Sequence, residues 1–167
     1  MDREELLRRY AAGERDFSSI DELSGELIGI NLSGINLSGV NFDFYNLEKC
    51  NFSSADLSNT YLSEVFLEGI NFTNANLSGT SMEQSCLDRA NLTNANLRNT
   101  RLYMTSFKYA EMNGSDLRGA ILDDTDLRGA NLTDANLGEI DLNSAIFCNT
   151  VMPDGTIRDD HCDFGQF

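Results

Sequence analysis

Residues with the chemistry for catalysis or metal binding are few in this sequence, and they are poorly grouped. Its single histidine, His161, stands beside Asp159, Asp160 and Cys162. Imidazole, carboxylate and thiol are suitable donors for a transition metal. A lone histidine in an acidic terminal stretch nevertheless reads as a solvated polar residue, and no metal site is expected there. No GxSxG, GxGxxG or P-loop motif occurs, and no serine, histidine and aspartate set is available away from that tail. Adjacent acids such as Asp123 and Asp124 arise from the pattern of the chain and need no acid–base role. The expectation is a protein without enzymatic activity or cofactor. Cys50, Cys86, Cys148 and Cys162 show neither CxxC nor zinc spacing, which fits free thiols in a reducing compartment, with a Cys148–Cys162 bridge as the alternative.

Charge narrows the partners further. Twenty-seven acids against 12 bases give a formal net charge of −15, which disfavours a phosphate-binding surface and keeps the molecule soluble. Nucleic acid is therefore not expected as a direct ligand. The opening MDREELLRRYAAGERD is charged almost from its first residue, unlike a signal peptide, and no apolar run approaches the roughly 18 residues of a membrane span. A cytoplasmic protein with no membrane contact is expected. At 167 residues and 41% hydrophobic content the chain suits one domain.

What positions the side chains is a repeat. Stepping by five from Leu27 to Met152 gives 26 positions, of which 18 are Leu, five Phe and three Met. Two places before the centre stands mostly a small or β-branched residue, as at Ile30, Ala55, Ala75, Ala95 and Ala130. These two columns must face inward, and the other three positions, rich in Asn, Asp, Ser and Arg, must face water. Neither the helical nor the strand period equals five. Five residues of short extended chain plus a corner, taken four times, close a square coil of 20 residues. The residue before the centre repeats at that larger interval: Asn31, Asn51, Asn71, Asn91 on one side and Asn36, Asp56, Asn76, Asn96 on the next. Glycine or asparagine two places after the centre (Gly29, Gly79, Asn59, Asn94) supplies corners. Outward asparagine columns, such as that of Asn31, Asn51, Asn71 and Asn91, are expected to form amide ladders along the rod.

The segments ADLSN (55–59), ANLSG (75–79), ANLTN (90–94), ANLRN (95–99), SDLRG (115–119) and ANLTD (130–134) resemble the A(D/N)LxX motif of the pentapeptide repeat family. The resemblance implies an all-β solenoid, the right-handed quadrilateral β-helix. It covers about residues 25–154, about six and a half coils and roughly 30 Å of rod at 4.8 Å per coil. The opening YAAGERDFS and the later MPDGTI resemble cyanobacterial members, of which one relative regulates cell differentiation.

Both ends of a solenoid need covering. Asp2 as N-cap, Glu4 and Glu5 in a first turn, Arg8 and Arg9 in a last turn and Gly13 as a stop predict a short capping α-helix over about 2–12, with Leu6, Leu7 and Tyr10 as its apolar stripe. Residues 1–24 are thus a helix and an irregular first coil, 25–154 the repeat, and 155–167 a cap or frayed tail in which Ile157, Cys162 and Phe167 keep the phase.

Two surfaces carry the functional expectations. Aromatic or sulfur side chains at outward slots, Phe44, Tyr61, Phe66, Tyr103, Met104 and Tyr109, suit a rigid scaffold that binds a protein partner. One side carries Asp43, Glu64, Glu83, Asp123, Asp124 and Asp141 against Arg101, a net of −5. Some pentapeptide repeat proteins resemble duplex DNA and bind type II topoisomerases. The resemblance therefore implies an alternative, an acidic DNA mimic that binds gyrase. A polar C-terminus, apart from Phe164 and Phe167, suggests a monomer or weak dimer.

Overall fold

The computed structural model describes residues 1–162. The chain opens with helix α1 (Arg3–Ala11), and β1 (Thr150–Val151) and β2 (Ile157–Arg158) lie near its end. Between them the backbone winds in a four-sided coil. Parallel one-residue bridges join positions 20 apart, from Asp16↔Asn36 through Asn31↔Asn51 and Tyr61↔Ser81 to Asn131↔Val151. At each rung a centre donates upward, as Leu32 N–H does to Asn51 O at 2.8 Å, and the residue before a centre donates downward, as Asn51 N–H does to Ile30 O at 2.9 Å.

The five-residue period follows from one corner repeated. The N–H two places before a centre generally closes a turn on the preceding centre's carbonyl, as Thr60 N–H does on Leu57 O at 3.2 Å, whereas Val65 N–H donates to Ser85 Oγ at 3.0 Å. The third residue of that turn takes a positive φ: +56° at Asn59 and +69° at Gly79, the geometry that glycine and asparagine accept most readily. A Cβ at Gly79 would meet Asn59 Oδ1 at 2.5 Å, so glycine lets one corner stack closely on the asparagine of the next. Each turn rotates the chain by one side. We call first the side centred on Leu32 and Phe52, second that on Leu37 and Leu57, third that on Phe42 and Leu62, and fourth that on Leu47 and Leu67.

Every centre from Leu27 to Leu132 is buried, as is Phe147. Leu137, Leu142 and Met152 are only partly buried because they line the last coil, which has a neighbour on one side only. Inward hydroxyls and one thiol satisfy turn carbonyls: Thr105 Oγ1 donates to Met82 O (2.7 Å), Thr125 Oγ1 to Leu102 O (2.8 Å) and Cys50 Sγ to Leu27 O (2.8 Å). Thr80 departs from this. Its hydroxyl is buried without a partner, whereas Thr60 and Thr100 in the same column donate to Leu57 O and Leu97 O. A buried unpaired hydroxyl costs about 1–3 kcal/mol. Thr80→Val should therefore raise the melting temperature by about 2–4 °C per kcal/mol recovered. Thr100→Val, which deletes a made bond, should lower it.

The amide ladder forms mainly on the second side. Asn31, Asn51, Asn71 and Asn91 each accept from the N–H two residues on, at 3.0–3.2 Å, a local turn that Asn36, Asn76 and Asn96 of the second side make as well, at 3.0–3.3 Å. One rung joins Asn131 to Glu111 on the first side at 3.1 Å, and the others lie in the neighbouring column: Asn36 to Asp16, Asn76 to Asp56 and Asn96 to Asn76, each at 3.0 Å. A carboxylate beneath an amide, as at Asp16 and Asp56, gives that column an acceptor that needs no amide orientation of its own.

Helix α1 forms as its capping signals predict. Asp2 accepts from Glu5 N–H at 2.8 Å, and Arg8 and Arg9 lie in the last turn. Leu6 is buried in the core, and the Tyr10 hydroxyl donates to Ser33 O at 2.8 Å, pinning the helix over the first coil. The other end departs from the sequence reading. The frame stops at Met152: β1 and β2 pair antiparallel, Thr150 opposite Arg158 and Val151 opposite Ile157, and the Pro153–Gly155 turn sends the chain back. Ile157 is exposed rather than in phase. Cys148 and Cys162 form a disulfide, so the free-thiol reading fails for this pair. The hairpin returns Cys162 beside the last coil, a proximity that the five-residue frame hides. Cys50 and Cys86 are free. Phe164 and Phe167 lie outside the described residues.

Candidate protein-interaction surface

The 20-residue register decides which outward side chains meet. Phe44, Glu64, Gln84, Met104 and Asp124 follow one another along the corner between the third and fourth sides. Asn46, Phe66, Cys86 and Ser106 form the adjacent column, joined rung by rung. Phe44 and Phe66 therefore come together in a shallow cleft of about 380 Å³ lined by Glu64, Val65, Gln84 and Cys86. Phe44 is 74% exposed and Phe66 57%. Phe44 also holds a φ of +67°, a conformation in which a bulky side chain is uncommon. Burial pushes the Cys86 thiol pKa up, which keeps that sulfur a small apolar wall rather than a thiolate.

The remaining aromatic candidates do not join this cleft. Tyr61 lines a polar groove at the opposite corner of the third side, with Asn59, Ser81, Asn99 and Arg101. Tyr109 sits at the far corner of the fourth side against Lys108, Arg128 and Gly129, with the Arg89 guanidinium 6.0 Å from its ring centroid. Tyr103 and Met104 are exposed further along the third side. The sequence reading passed over Val65, Gln84 and Cys86. The register of 20 was the signal for two of them, since it stacks Gln84 on Glu64 and Cys86 on Phe66.

The acidic side is partly committed to local bonding. Arg101 Nε meets Glu83 Oε1 at 2.9 Å, Asp43 Oδ1 accepts from Ser63 N–H at 2.8 Å and Asp141 Oδ1 from Asn143 N–H at 2.9 Å. On the fourth side charges cancel in pairs: Arg89 with Glu68 (2.8 Å), and Lys108 (3.3 Å) and Arg128 (2.6 Å) with Asp126. On the second side a hydrogen bond from the Arg118 guanidinium holds the Asp116 pKa at about 2.

Repeats described as Pentapeptide repeats match in eight copies, over residues 26–53, 50–88, 85–124 and 110–149. The chain belongs to the pentapeptide repeat family. Its coil is accordingly the right-handed quadrilateral β-helix. Among solved pentapeptide repeat structures it resembles HetL, involved in heterocyst differentiation regulation, from the cyanobacterium Nostoc sp. strain PCC 7120. That match has 23% identity and a TM-score of 0.64 and covers 95% of this chain and 100% of that one. It also resembles Rfr23 from the cyanobacterium Cyanothece 51142, at 28% identity and TM-score 0.54, over 73% of this chain and 90% of that one. A thylakoid lumen pentapeptide repeat protein of Arabidopsis thaliana matches at 24% identity and TM-score 0.56, over 64% and 70%. No curated protein matches the sequence. Pentapeptide repeat proteins are generally non-enzymatic structural scaffolds.

Proposed function

We propose that this chain is a non-enzymatic, cytoplasmic interaction rod that offers the Phe44–Phe66 corner to a protein partner. The observation that carries the reading is the placement of two phenylalanines outside a coil that buries its apolar centres, one of them at a corner where the backbone favours glycine or asparagine. Fully burying such a side chain is worth about 1.5–3 kcal/mol, and folding leaves more than half of each residue's surface exposed. A rigid backbone holds both rings in place before any partner arrives, which lowers the ordering cost of association. Glu64 at the cleft rim favours a partner with an apolar anchor flanked by a basic group.

DNA mimicry is the weaker reading. Between residues 25 and 152 stand 16 acids and seven bases, a net of −9. Over about 30 Å of rod that is about one charge per 3 Å, against about one per 1.7 Å in duplex DNA.

The test is affinity capture from native cytosol with wild-type protein and with Phe44→Ser combined with Phe66→Ser. The double variant should recover at least tenfold less partner. Unchanged recovery would sink the proposal. Inhibition of gyrase supercoiling by the wild-type protein, abolished by Glu83→Lys with Asp123→Lys, would install mimicry in its place.

A further inference from the structure

The hairpin at the end of the coil assembles donors that the sequence keeps far apart. Ligand atoms of Cys148, Asp159 and Cys162 all lie within 4.8 Å of one another, with the two cysteine Cα atoms 4.8 Å apart. The surroundings orient these groups. Asn149 N–H donates to Asp159 Oδ1 at 2.6 Å, and Asn149 Nδ2 donates to Cys148 Sγ at 3.4 Å. Asp159 Oδ1 lies 3.6 Å from Cys162 Sγ. One asparagine thus fixes the carboxylate through its backbone and reaches a sulfur through its side chain, the kind of outer support that metal ligands ordinarily have.

We propose that, once its disulfide is reduced, this cluster is a zinc site in which Cys148, Cys162 and Asp159 are the protein ligands and water is the fourth. A dithiol reductant delivers two electrons and two protons to the S–S bond, becomes a disulfide itself and leaves two thiols. Zinc then displaces the two thiol protons to solvent. Tetrahedral coordination at a Zn–S distance of about 2.3 Å sets the sulfurs about 3.8 Å apart, a separation that side-chain rotation reaches from Cα atoms this close. His161 is held aside: its Nδ1 accepts from Phe147 N–H at 3.2 Å, and its backbone N–H donates to Phe147 O at 2.9 Å. The imidazole that drew notice in the sequence positions the hairpin, and the distant Cys148 supplies the metal donor. The oxidised and zinc-bound forms exclude each other, so the same two sulfurs close the end of the rod in either redox state.

The experiment titrates the full chain with zinc against a chromogenic chelator, with a phosphine reductant and without. The reduced chain should take up one equivalent of zinc at least tenfold more tightly than the disulfide form. Cobalt in place of zinc should give thiolate-to-metal charge-transfer absorption. Asp159→Asn, which leaves both thiols intact, should weaken binding at least tenfold, while Cys86→Ser should leave it unchanged. The proposal is overturned by equal zinc affinity in the two redox states, by wild-type affinity in Asp159→Asn, or by loss of binding in Cys86→Ser.

Discussion

Phe72→Ala is expected to lower the free energy of unfolding by about 3–5 kcal/mol, measured as a fall in the urea midpoint. Phe72 is a fully buried centre of the first side. Its ring stacks on Phe52 one coil below, with centroids 6.1 Å apart and planes 27° from parallel. The substitution removes an aromatic side chain from a tube whose walls are fixed by main-chain bonds on both neighbouring coils, Phe72 N–H to Asn91 O at 2.7 Å and Phe52 N–H to Asn71 O at 2.8 Å. Those rungs resist collapse, so the cavity stays open and the cost falls toward the upper part of that range. Phe72→Leu restores the residue that most other centres carry and should cost under about 1.5 kcal/mol. A solenoid's stability is a sum of coil and interface terms, and the same exchange at the partly buried Leu142 of the last coil should cost much less. Equal losses for Phe72→Ala and Leu142→Ala would contradict a stacked one-dimensional core.

The coil was legible in the sequence because one geometric constraint repeats without slipping. Leu, Phe or Met at each fifth residue, a small residue two places earlier and Gly or Asn two places later encode inside, wall and corner directly. Helix α1 was legible for a different reason: Asp2, the paired charges and Gly13 are local signals that need no tertiary context. What the repeat could not convey was which of two like columns bonds between coils. Asparagine oxygens on both sides accept from the N–H two residues on, but Asn36, Asn76 and Asn96 of the second side also donate to the coil below, and nothing in the five-residue frame separates the two sides. Nor does a side assignment say which outward residues share a corner. Phe44 and Phe66 belong to adjacent sides and meet, while Phe44 and Tyr61 belong to one side and do not. Beyond Met152 the frame loses its authority. Ile157 falls on phase and still points outward, because once Pro153 and Gly155 turn the chain no coil lies above to receive it.

Removing the covalent tie at that end, by reduction in the absence of metal or by Cys148→Ser with Cys162→Ser, should destabilise the protein by up to about 3 kcal/mol. That figure follows from the 14-residue separation of the pair and the chain entropy such a loop restores to the unfolded state. For a chain of this length it corresponds to a melting temperature lower by about 6–12 °C. The two ends of the rod are closed by different physics. At the N-terminal end α1 buries Leu6 against the core, and apolar area holds the lid. The described part of the C-terminal hairpin exposes Ile157 and holds on through a few polar contacts: His161 with the Phe147 backbone, Asn149 with Asp159 and the Arg158 guanidinium 3.8 Å from the Phe147 ring centroid. Contacts of that kind are individually worth about 1 kcal/mol, so the tie makes up for burial that the hairpin lacks. Amide exchange should therefore accelerate first at Phe147, Asn149 and His161, while Leu92 and its neighbours in the middle coils keep their protection. Uniform acceleration along the rod would show instead that the disulfide supports the whole coil rather than its last turn.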